Sequence, residues 1–136
     1  MASILKVDTL TGVTTAGSIA VTGEGNSTTT NLQQGLAKAW VNIDGDASTP
    51  ASRDSFNVGS ITDASAGQYH YAITSAMSSG DYCRLVSAGD SGVRRVADTG
   101  AAVSNTSVLG IIITESMNGN LYDVDDANGA ILGDLA

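Results

Sequence analysis

Tyr69-His70-Tyr71-Ala72-Ile73-Thr74 is the stretch that decides the fold. Its large apolar residues, Tyr69, Tyr71 and Ile73, occupy every second position. An extended chain turns successive side chains to opposite faces, so this alternation predicts a strand with one face on a core. Upstream, Ser60-Ile61-Thr62 is a second extended run. The link between them, Asp63-Ala64-Ser65-Ala66-Gly67-Gln68, is short and contains glycine, which predicts an antiparallel hairpin. Phe56-Asn57-Val58 lies on the far side of Gly59, and Trp40-Val41-Asn42-Ile43 ends at the turn Asp44-Gly45-Asp46. Downstream, Tyr82-Cys83-Arg84-Leu85-Val86, Val93-Arg94-Arg95-Val96 and Val108 to Thr114 read as further strands. Turn signals separate them at Ala88-Gly89-Asp90, Asp98-Thr99-Gly100 and Asn118-Gly119-Asn120. Short strands at regular spacing predict an all-β domain over 36–136, an antiparallel sandwich or barrel. Asp123-Val124-Asp125-Asp126-Ala127-Asn128-Gly129 reads as a solvated acidic loop, and Ala130-Ile131-Leu132-Gly133 as a last short edge strand.

The first 35 residues have a different character. Thr, Gly, Ser and Val dominate, with Ile19-Ala20-Val21-Thr22 as a short strand and Glu24-Gly25-Asn26-Ser27 as a turn. A segment this thin cannot bury a core and needs a partner or a copy of itself. One helix is expected, from about Thr30 to Ala39. Leu32, Leu36 and Trp40 are four apart on one stripe, and Thr30 or Asn31 caps the start. Gly35 weakens it by ~1 kcal/mol relative to Ala. The stripe packs either on its own domain or between copies. The candidate interaction residues are therefore Ile4, Val7, Leu10, Ile19, Val21, Leu32, Leu36 and Trp40.

Composition narrows the function. The 136 residues carry 14 Asp and Glu against 6 Lys and Arg, a net charge of −8. Nucleic-acid and anionic-membrane binding both need clustered positive charge, and Arg94-Arg95 is the sole adjacent basic pair. No nucleic-acid or membrane partner is expected. The start, Met1-Ala2-Ser3-Ile4-Leu5-Lys6-Val7-Asp8, lacks the basic and apolar regions of a secretory signal. The most apolar run, Val108 to Ile113, is far short of the ~20 residues that cross a bilayer. Cys83 is the single cysteine, so neither an internal disulfide nor a cysteine zinc cluster is expected, and a free thiol suits a reducing cytoplasm. With one Trp, one Phe and four Tyr, the core must come mainly from Val, Ile, Leu and Ala. A core that light suggests stability shared between subunits.

No catalytic set emerges. His70 is the one histidine, on the opposite strand face from Tyr69 and Tyr71, and only Cys83 could pair with it as a nucleophile. Paired carboxylates that cleave glycans sit in clefts lined with aromatics on larger scaffolds, and six aromatics across this chain make such a platform thin. Asp123 to Gly129 resembles a calcium loop only faintly. Counting from Asp123, position five is Ala127, glycine falls at seven instead of six, and position twelve is Asp134. Asp44 with Asp46 could also touch a cation, and a solvated pair is the expected reading there. Gly12, Gly17, Gly23 and Gly25 form no phosphate-cradling pattern. Asn26-Ser27-Thr28 and Asn105-Thr106-Ser107 match glycan-acceptor triplets, without meaning outside a secretory route. No enzyme activity, metal or cofactor is expected.

Two strings carry a family likeness. The first is Ser27-Thr28-Thr29-Thr30-Asn31-Leu32-Gln33-Gln34-Gly35-Leu36-Ala37-Lys38-Ala39-Trp40-Val41-Asn42. The second is Arg53-Asp54-Ser55-Phe56-Asn57-Val58-Gly59-Ser60-Ile61-Thr62-Asp63, with Gly67-Gln68-Tyr69 and Met77-Ser78-Ser79-Gly80-Asp81-Tyr82 after it. With the opening Ser3 to Leu10, they resemble tail-fibre and other virion structural proteins of phages, notably cyanophages. The likeness spans about residues 1 to 82. It implies a β-rich virion component assembled in the host cytoplasm, a homotrimer bound to other virion proteins, with a host surface receptor as a further partner. It implies no catalytic residues. The chain departs from the pattern by inserting Asp46 to Ala51 and by lacking a long shaft. Both departures point away from a long fibre and leave a stubby fibre, a head fibre or a capsid decoration (cement) protein.

Overall fold

The computed structural model describes residues 4–13, 19–23, 29–99, 105–115 and 119–133. The chain divides into two units, 1–36 and 37–136. In the first, β1 (Ala20–Thr22) pairs antiparallel with β2 (Thr29–Asn31), and α1 (Leu32–Gly35) follows at once. The Leu32 amide donates to the Ile19 carbonyl at 2.8 Å, closing the ribbon. The expected turn at Glu24 to Ser27 lies outside the described residues.

The second unit contains, among the described residues, β3 (Ala37–Asp44), β4 (Ala51–Phe56), β5 (Val58–Ser65), β6 (Gln68–Ile73), β7 (Cys83–Gly89), β8 (Arg95–Asp98), β9 (Val108–Glu115) and β10 (Asp126–Leu132). They form two four-stranded sheets, β4-β3-β10-β7 and β5-β6-β9-β8, antiparallel throughout. Both sheets are open, with edges at β4 and β7 and at β5 and β8, so no closed barrel forms.

One buried cluster serves both sheets. β3 supplies Ala39, Val41 and Ile43, β6 supplies Tyr69, Tyr71 and Ile73, and β10 supplies Ala127 and Ile131; Met77 and Val124 join from the loops. The β6 alternation reads through to the structure: Tyr69, Tyr71 and Ile73 are buried and the residues between them are half-buried. Full burial of an aliphatic or aromatic side chain contributes roughly 1.5–3 kcal/mol, and this cluster is the main source of that term. The β5–β6 hairpin is also present, turning through Ala66 and Gly67, with Gly67 at φ 65° where glycine has no Cβ penalty.

Three expectations need correction. The helix over Thr30 to Ala39 shrinks to the single turn α1. Ala39, Val41 and Ile43 form a period-two apolar face, and its burial draws the chain into β3 from Ala37. Trp40 therefore sits in a strand and shares no helical stripe with Leu32 and Leu36. The strand break expected at Gly59 falls instead at Asn57, whose φ is 57°. Its side-chain amide donates to the carbonyls of Lys38 (2.9 Å) and Ser75 (3.1 Å) and accepts from the Ser75 amide at 2.7 Å. These bonds hold the chain where it leaves one sheet and enters the other.

The third correction concerns the acidic segment. Its second half, from Asp126, is strand and not loop, and the final strand is not an edge. β10 pairs with both β3 and β7, and Val124, Ala127, Gly129 and Ile131 are buried. Small residues at Ala127 and Gly129 suit an inward face crowded by Val41, Ile43 and the tyrosines of β6.

Candidate functional site

The face of the β4-β3-β10-β7 sheet turned away from the core is ordered in rows by strand register. Trp40 lies opposite Phe56 on one side and Ala130 on the other, and Ala130 lies opposite Leu85. These four residues form an apolar row across all four strands. Trp40, Phe56 and Leu85 are exposed, at 37%, 54% and 54%. Two residues further along each strand, about 7 Å away, the same register aligns Asp54, Asn42, Asn128 and Ser87.

Small residues on β10 leave a groove of ≈ 410 Å³ over that strand. Trp40 and Asn42 form one wall, Leu85 and Ser87 the other, and Asn128 and Ala130 the floor. The polar row is held by its own hydrogen bonds. The Asn42 amide donates to Asn128 Oδ1 at 2.6 Å and to Asp126 Oδ1 at 3.2 Å. Arg53, exposed at a bulge of the β3–β4 pair, bridges Asp126 and Asp44.

Three other carboxylates serve the fold. Asp123 Oδ1 accepts from the Gly67 amide (2.8 Å) and the Tyr69 hydroxyl (2.9 Å), and Asp125 accepts from the Ser91 amide. The Tyr69 hydroxyl also reaches the Gly45 carbonyl at 3.2 Å. Asp90 pairs with Arg95 at 2.8 Å, and the Arg95 guanidinium lies 4.5 Å from the centre of the Tyr122 ring. Burial, and then the hydrogen bond to Asp123, pushes the Tyr69 phenol above its usual pKa; burial does the same at Tyr71 and, more weakly placed at the surface, at Tyr82. His70 and Cys83 belong to different sheets, on faces turned from the core, so they do not meet. Among the described residues no group of three or more His, Cys, Asp or Glu is placed to hold a metal, and no helix is long and apolar enough to cross a membrane. Asn105, from a glycan-acceptor triplet, turns its side-chain oxygen to the Ser107 and Val108 amides as a loop cap.

The candidate interaction residues separate between the two units. Ile4, Val7, Leu10 and Val21 are exposed, as is Leu36, while Ile19 and Leu32 are half-buried; all seven belong to unit 1–36. Trp40 alone lies in the second unit, on the groove. Asn42, Leu85 and Asn128 complete that groove and were not singled out from sequence. The period-two pattern that marks Tyr69 to Ile73, applied to Asp126 to Leu132, sets Asn128 and Ala130 on one outward face. No family model, no curated protein and no solved structure matches the chain.

Proposed function

We propose that the chain is a structural, non-enzymatic component of a bacteriophage virion, a short trimeric fibre or appendage protein. Residues up to about 35 attach it to the particle and to its own copies, and the β unit projects. The two sheets of that unit are taken as an antiparallel sandwich, because both contribute to one buried cluster. The observation that carries the reading is the surface of unit 1–36. Its apolar side chains lie in the open, Ile4 and Leu5 at 79% and Val13 at 93%. A two-stranded ribbon is marginal alone in water, and a segment with five of its ten residues from Ile4 to Val13 apolar and exposed favours a partner that covers them. The strings around Trp40 and Phe56 direct that partner to a virion.

Mass spectrometry of purified particles, with a reconstruction locating the chain, tests this. The expected result is a protein present at a few to a few tens of copies per particle. Hundreds of copies would replace the fibre with a capsid decoration protein, whose N-terminal strand extends a sheet of the shell protein. Absence from particles of the phage that encodes it would end both readings.

A further inference from the structure

We infer that the groove over β10, on the outer face of the β4-β3-β10-β7 sheet, binds a neutral saccharide. A sugar ring has an apolar C–H face and a rim of hydroxyls. The groove has the matching division, an apolar half at Trp40, Ala130 and Leu85 and a polar half at Asn42, Ser87 and Asn128. Its ≈ 410 Å³ falls within the range of small-molecule sites. The Trp40 indole is rigid and offers a flat apolar wall at little conformational cost.

Preorganisation supports the same conclusion. Asn42 donates to Asn128 Oδ1, which fixes that amide and leaves its NH₂ group to serve a ligand hydroxyl. Asp126, clamped by Arg53, takes the second Asn42 donor bond. Side chains already held lose little freedom on binding.

Charge and size decide the class of occupant. The ionised groups around the polar row are Asp44, Asp54 and Asp126 against Arg53, with the buried Lys38 two residues before Trp40 on β3, on a chain of net charge −8, so an anionic glycan is disfavoured. A whole aromatic side chain offers ~150–250 Å², so the exposed parts of Trp40, Phe56 and Leu85 total roughly 300 Å². That apolar area suits one or two sugar rings.

The inference extends the virion reading and rests on it only for the source of the glycan, a host surface. The binding test needs no particle, so the two readings fail separately. Trp40 is the single tryptophan, so its fluorescence reports on the groove directly. Full-length protein is titrated with lactose, maltotriose, mannotriose, cellotriose and N,N′-diacetylchitobiose, with sialyllactose as the charged control. At least one neutral probe should give a saturable change with a dissociation constant of about 0.1–10 mM. Leu85→Ala, at an exposed position, and Asn128→Ala should each weaken it ~3–10-fold, and Trp40→Ala should abolish binding by calorimetry. No saturable response to any neutral probe, a stronger response to sialyllactose, or a response that Leu85→Ala and Asn128→Ala leave unchanged overturns the inference. So does an oligomer that Trp40→Ala dissociates, because the face is then a contact between copies.

Discussion

At the residue scale, Tyr69 and Tyr71 are neighbours on one strand face with opposite hydrogen-bond fortunes. The Tyr69 hydroxyl donates to Asp123 and reaches the Gly45 carbonyl, whereas the Tyr71 hydroxyl is buried and has no partner among the described residues. A buried polar atom left unpaired costs about 1–3 kcal/mol. Tyr71→Phe is therefore expected to raise stability by about 1 kcal/mol, and Tyr69→Phe to lower it by about 1–2 kcal/mol; urea unfolding measures both. A loss at Tyr71→Phe equal to that at Tyr69→Phe would mean that the Tyr71 hydroxyl has a partner in solution. Asn57 offers a second contrast. Asn57→Ala loses three hydrogen bonds and leaves a Cβ residue at positive φ, for an expected cost of about 2–4 kcal/mol. Asn57→Gly loses the same bonds but relieves the backbone, so it should cost about 1 kcal/mol less than Asn57→Ala. Equal losses would show that the backbone conformation contributes nothing there.

At the element scale, β10 joins the sheet. It is hydrogen-bonded on both sides, while β4 and β5 each keep one free edge. Amide hydrogen exchange should therefore find Ala127 to Ile131 protected as strongly as β6, and the outward-facing amides of β4 exchanging first. Exchange of β10 at edge-strand rates would overturn the central placement. The sequence contains this strand but disguises it. Tyr69 to Thr74 is legible because large apolar residues mark every inward position. In Asp126 to Leu132 the inward positions are Ala127, Gly129 and Ile131, two of them small, while Asp126 and Asn128 announce a loop. The small residues suit the crowded interior, which local propensity does not register. The same competition erased the helix: Leu32, Leu36 and Trp40 satisfy a helical period, but Ala39, Val41 and Ile43 satisfy a strand period and have a core to enter. The groove was half legible for this reason, with Trp40 visible as apolar and Asn128 hidden in the apparent loop.

At the scale of the whole molecule, alkali and association are the two informative perturbations. Tyr69, Tyr71 and Tyr82 all have their phenol pKa raised by burial in the fold. The unfolded chain titrates near pH 10. A raised folded pKa gives stability that is fully present below the unfolded value and is lost as pH climbs towards the folded one. Thermal midpoints should thus fall steeply above about pH 10, with tyrosinate absorbance rising together with unfolding; early titration of these phenols in a still-folded protein would contradict their burial. Association separates the two units. Residues 37–136 contain the buried cluster, whereas the apolar side chains Ile4, Leu5, Val7, Leu10 and Val13 are open to water in the other unit. If those side chains meet other copies, the full chain should scatter light as a trimer at micromolar concentration while residues 37–136 remain folded and monomeric. At a net charge of −8 per copy, repulsion opposes assembly, so salt that shortens the Debye length to ~8–10 Å should strengthen the trimer. A full chain that stays monomeric in salt would remove the N-terminal segment as an assembly element, and a trimeric 37–136 fragment would move the contact to the β unit.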